Sequence, residues 1–82
     1  MEIKQILEEK EVYDYLKSRN LIGQYKKVKM YLLQGYTWKV NFKKRKPKGS
    51  GIYYFRINKK FRALGYFRDE NIFVVVEIDD HQ

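Results

Sequence analysis

Hydrophobic positions change their spacing once along this chain, from about four to two. From about Glu8 to Ser18, Val12, Tyr15, Leu16 and Arg19 fall at i, i+3, i+4 and i+7, with Glu9, Lys10, Asp14 and Lys17 on the other side. One stripe repeating each helical turn predicts a helix. Acids crowd its first turns and Lys17 and Arg19 its last, which matches the helix dipole. A second stripe, Leu21, Tyr25, Val28, Leu32 and Leu33, predicts a helix from about Leu21 to Gln34, with Lys26, Lys27 and Lys29 opposite. Asn20 is placed to cap its start and Gly35 to stop it. The tight connection makes the two helices an antiparallel hairpin. Residues 2–6 fit either an extra helical turn or a short edge strand.

After Gly35 the period becomes two. Trp38, Val40 and Phe42 alternate with Lys39, Asn41 and Lys43, the pattern of a half-buried strand. The basic run from Lys43 to Gly51 ends in Pro and Gly and reads as a loop. Three strands follow, Ile52–Asn58, Phe61–Phe67 and Ile72–Asp79, with turns at Lys59-Lys60 and Arg68–Asn71. Short turns make them antiparallel neighbours, and the last, apolar on both faces, reads as central. The expectation is a single α+β domain over residues 1–82. An N-terminal helical hairpin packs on one face of a four-stranded, mainly antiparallel sheet, with a short N-terminal edge strand as an option. Trp38, Phe55 and Phe61 are the expected core aromatics.

Composition narrows the chemistry. The 82 residues hold no cysteine and one histidine, His81, so disulfides, thiolate or multi-histidine metal sites and a cysteine nucleophile are excluded. No apolar run approaches the roughly 18 residues of a membrane span. The first residues lack the basic-then-apolar layout of a signal peptide, so the cytoplasm is the expected location. Charge is segregated. All ten acids lie before Tyr15 or after Arg68, whereas all 18 lysines and arginines except Lys4 and Lys10 lie from Lys17 to Arg68. A one-signed block in a chain of net charge +8 builds a field that favours a polyanion, nucleic acid foremost.

The string Gly51-Ile52-Tyr53-Tyr54-Phe55-Arg56-Ile57, then Phe61-Arg62-Ala63, then an apolar strand, resembles the RelE/ParE toxin superfamily of type II toxin–antitoxin modules. The likeness runs from about Glu8 to Gln82, and the two-arginine hairpin is its most specific part. The resemblance implies a metal-independent endoribonuclease that cuts mRNA on the ribosome and needs no cofactor. A ParE-like poison of DNA gyrase, or an inactive basic RNA-binding domain, is the alternative. It also implies a cognate antitoxin partner, with a free monomer that forms hetero-oligomers with that antitoxin.

Cleavage of RNA without a metal needs a base for the 2′-hydroxyl, cations for the charge on phosphorus and an acid for the leaving oxygen. Alternation in Ile52–Asn58 turns Tyr53, Phe55 and Ile57 toward the helices and leaves Tyr54 and Arg56 on the open face. Arg62, Leu64 and Tyr66 share that face of the next strand, so Arg56 and Arg62 are expected to converge. Their planar forks suit phosphate, and both match the family's cationic positions. Where the best-known nucleases carry lysines, this hairpin has Tyr54 and Arg56. His81 is the proton-transfer candidate because its ordinary pKa lies near 6.5. Tyr54 is the candidate for stacking on a base or for proton transfer. Lys43, Lys44, Arg45, Lys46 and Lys48 in the basic run, and Lys59 and Lys60 in the hairpin turn, are the expected RNA-binding residues.

Overall fold

In the computed structural model, residues 2–45 and 49–80 are described. The elements are β1 (Gln5–Glu8), α1 (Lys10–Ser18), α2 (Ile22–Leu33), a 3₁₀ turn (Thr37–Val40), β2 (Lys43–Lys44), β3 (Tyr53–Arg56), β4 (Phe61–Asp69) and β5 (Ile72–Asp80). The sheet order is β1-β5-β4-β3-β2. β1 runs parallel to β5, with Gln5 beside Ile72 and Glu8 beside Val75, and every other pairing is antiparallel. The fold is α+β, two helices on a five-stranded mixed sheet. Of the two options for the first residues, the edge strand is the one adopted. It draws Glu8 into the ladder, so α1 starts at Lys10 and not at Glu8. β5 is an interior strand, although β4 is the middle one.

The two helices end alike. After α1, Asn20 adopts a left-handed φ of 60°. Its N–H bonds Lys17 O, and the Leu21 N–H bonds Leu16 O. After α2, Gly35 has φ 88°, its N–H bonds Leu32 O, and the Tyr36 N–H bonds Tyr31 O. Both are Schellman closures, which satisfy carbonyls the helix itself leaves free. The apolar pair that accompanies such a closure is buried Leu16 with Leu21 in one, and Tyr31 beside Tyr36 (6.5 Å) in the other. Asn20 therefore terminates α1; it does not cap α2, whose N-cap position is Leu21 and carries no side-chain cap.

A second correction concerns residues 37–42. Thr37–Val40 is a 3₁₀ turn and not a strand, and Asn41 follows it in the left-handed region at φ 53°. With three residues per turn, Thr37 and Val40 share one side. Val40 is buried at the core while Trp38 is 67% exposed, so the expected core tryptophan stands in water. Among the described residues of the predicted basic loop, Lys43–Lys44 forms a strand. Leu33, expected on the apolar stripe of α2, is also exposed.

The core lies between the helices and one sheet face. Leu16, Leu21, Tyr25 and Leu32 meet Ile6, Phe55, Ile57, Phe61, Ala63, Phe73 and Val75, all buried. Phe42 stacks on Tyr53 (5.4 Å, 7° between planes), and both meet Phe67 and Phe73 edge to face. Such aromatic pairs add about 0.5–1.5 kcal/mol each beyond area burial. Their effect on function is positional: they fix β3 and β4, whose outward residues form the far face of the sheet.

Candidate nucleic-acid interface

Strand register sets two rows across the face turned away from the helices. In one, Arg56 pairs with Arg62, and Arg62 with Asp79. In the next, Lys43 pairs with Tyr54, Tyr54 with Leu64, and Leu64 with Glu77. Phe55 is buried while Arg56 is exposed, as the alternation of β3 predicts. Two arginines directly opposite repel each other. The structure offsets this on one side. Arg62 Nη2 donates to Asp79 Oδ2 at 3.0 Å, and the guanidinium lies 4.6 Å from the Tyr54 ring centroid. Arg62 is thus fixed from two directions, and Arg56 is left to the solvent. The Arg62 Nε is buried and has no hydrogen-bond partner among the described residues.

Asn41, Lys43, Tyr54, Arg56, Lys59 and Arg62 line a cavity of about 230 Å³. Among the described residues, four of the six lining side chains are cations and none is a carboxylate. Lys59 reaches it because Asn58 builds the hairpin turn: Asn58 Oδ1 accepts from the N–H of Lys60 (2.8 Å) and Phe61 (2.9 Å). Asn58 Nδ2 also donates to Gln24 Oε1 at 2.7 Å, tying that turn to α2. Paired strands and a bonded turn fix the backbone from which these cations extend, and Arg62, held by Asp79 and Tyr54, has its charge in place before any ligand arrives. A charge fixed in advance is the kind that stabilises a phosphate best.

Of the residues predicted from sequence, Lys43, Tyr54, Arg56, Lys59 and Arg62 come together here. Lys44 does not: it pairs with Tyr53 on the helix side, its Nζ 5.8 Å from that ring. Lys60 turns toward Asp80, 3.8 Å away, over the Phe61 ring. Arg45 is exposed, its backbone N–H bonded to Ile52 O. Lys46, Lys48 and His81 lie outside the described residues. Sequence reasoning missed Asn41 and the pairing of Asp79 with Arg62. Asn41 had a weak signal, since asparagine tolerates the left-handed backbone that points it at the cavity. Asp79 had none, because register between strands decides it.

Among the described residues, no three Asp, Glu or His side chains gather as a metal site, and no helix is long and apolar enough to cross a membrane. No protein-family model, curated protein or solved structure matches this chain.

Proposed function

We propose that this chain binds and cleaves single-stranded RNA as the toxin of a type II toxin–antitoxin pair of the RelE kind, acting on mRNA at the ribosome in the cytoplasm. The observation that carries this reading is the cavity that Lys43, Arg56, Lys59 and Arg62 line together with Tyr54. In this reading a phosphodiester sits on Arg56 and Lys59, with Arg62 held beside it by Asp79. The 2′-oxygen attacks phosphorus, the bond to the 5′-oxygen breaks, and the cations stabilise the added negative charge. His81 moves the proton, and Tyr54 stacks on a base or shares in that transfer. The antitoxin covers the basic face; the free toxin is a monomer and the complex a hetero-oligomer.

One observation favours a second reading, binding without cleavage, as in an inactive RNA-binding domain or a toxin directed at gyrase. The Asp79 carboxylate already occupies Arg62, which lowers the charge that arginine offers to phosphorus.

Induction in a bacterial host, followed within minutes by primer extension on abundant transcripts, tests both. The nuclease reading expects new cuts inside translated regions. Arg56→Ala should reduce them about 10²-fold, the scale for removing one donor to a developing negative charge. Growth arrest with intact transcripts would sink the nuclease and direct attention to gyrase.

A further inference from the structure

Trp38 is the only tryptophan in the chain, and at 67% exposure it is the most open of the large apolar side chains among the described residues. The 3₁₀ turn forces it outward by giving the inward positions to Thr37 and Val40. It does not stand alone. Its ring lies 5.3 Å from Tyr36, and Tyr36 lies 6.5 Å from Tyr31. The Lys39 ammonium sits 5.0 Å from the Tyr31 centroid and 5.5 Å from that of Tyr36. One cation therefore covers the two tyrosines, while among the described residues no cation–π partner covers the indole.

Aromatic rings interleaved with lysines are the composition of a single-strand binding surface, where bases stack and phosphates pair with cations. The chain also links this cluster to the basic cavity. Asn41 and Lys43 line that cavity, and three residues of chain span at most about 11 Å, so Trp38 lies close to its rim. No Asp or Glu occurs between Leu16 and Phe67, so the connecting segment offers a phosphate chain no like charge. A base needs only the flat face that the exposed indole presents.

We propose that Trp38 is a stacking platform for an unpaired base of the same RNA strand whose phosphates occupy the cavity of Lys43, Arg56, Lys59 and Arg62. This rests on the RNA-binding reading above and extends its footprint beyond the arginine pair. Because the tryptophan is unique, its emission reports the contact directly.

The test is a titration of the full chain with a 2′-O-methyl octa-adenylate, which cannot be cut at a 2′-hydroxyl. Tryptophan emission and the anisotropy of a dye on the oligonucleotide are followed together. Stacking predicts saturable quenching that tracks the anisotropy. Trp38→Ala, a surface change checked for folding by circular dichroism, should weaken binding about 5- to 150-fold, the value of one stacked base. Trp38→Phe should recover part of that loss. If anisotropy saturates with emission unmoved and Trp38→Ala binds as wild type, the platform is wrong and the patch is left to a protein partner. In that case loss of binding in Arg56→Ala with Arg62→Ala keeps the RNA surface itself intact. No anisotropy change with the wild-type chain would overturn both.

Discussion

Tyr25 shows at one residue how the helix layer is fastened to the sheet. Its hydroxyl donates to Glu8 Oε2 at 2.6 Å, and Lys29 Nζ approaches the same oxygen at 2.8 Å. The ring is buried against Phe55, 6.2 Å away. Burial first, then the hydrogen bond to Glu8, pushes the phenol pKa well above its usual 10. The sign follows from proton counting. Above pH 10 the unfolded chain releases this proton while the folded chain keeps it, so stability is present below that pH and falls as pH rises. Tyr25→Phe should cost about 1.5–3 kcal/mol at pH 7, the range for a hydrogen bond to a charged group. Beyond about pH 10 the difference between the two proteins should shrink by about 1.4 kcal/mol per pH unit. Urea melts of both proteins at pH 7, 10 and 11 measure it, and a difference constant with pH would refute the account.

At the scale of elements, local pattern and long-range partner divide the credit. The helices were legible because Val12, Leu16, Leu21, Tyr25 and Leu32 keep a helical period, and all five are buried. The outward Tyr54 and Arg56 were legible because β3 alternates cleanly. The role of Asn20 was misread because asparagine favours both an N-cap and a left-handed closure, and the two sites are adjacent in a tight hairpin. The Trp38–Phe42 segment was misread because three alternating residues cannot separate a strand from a 3₁₀ turn. The parallel edge strand depended on β5, more than sixty residues away. Gly65 was silent too. Leu64 faces Glu77 and Gly65 faces Val75, so Val76 is an extra residue and the ladder bulges there. A Cβ on Gly65 would lie 2.1 Å from the Val74 carbonyl oxygen and 2.9 Å from Phe73 Cε2. Backbone cannot yield as a side-chain tip does. Gly65→Ala should therefore destabilise by about 3 kcal/mol, the upper end of overpacking costs. Gly23→Ala, with nothing within 4 Å of the added carbon in α2, should stabilise by up to about 1 kcal/mol. Denaturant unfolding of the pair checks both signs, and equal effects would contradict the close-approach argument.

Over the whole molecule, the charge block of the sequence becomes an electrical gradient across the sheet. Because β1 lies beside β5, the acidic segments around Glu8, Glu9 and Glu11 and around Glu77, Asp79 and Asp80 gather at one edge. The lysines and arginines of β2 and β3 occupy the other, and the 58–60 turn lies between, where Lys60 meets Asp80. A diffuse positive surface would bind RNA through many weak, interchangeable contacts; a gradient concentrates binding at the basic end. The two cases differ in salt dependence. Each phosphate neutralised on a single strand contributes about −0.7 to the slope of log K against log salt. Four cations at the cavity, Lys43, Arg56, Lys59 and Arg62, set a slope between about −2.1 and −2.8, because Arg62 shares its charge with Asp79. Arg56→Ala should reduce its magnitude by about 0.7, since that side chain is exposed and has no ion-pair partner among the described residues. Arg62→Ala should reduce it by less, because Asp79 already neutralises part of its charge. Lys44→Ala, on the helix side of β2, should leave the slope unchanged. Oligonucleotide affinities at four or five salt concentrations give all three values. A steeper slope that falls equally for every lysine or arginine removed would show a diffuse field in place of a built site.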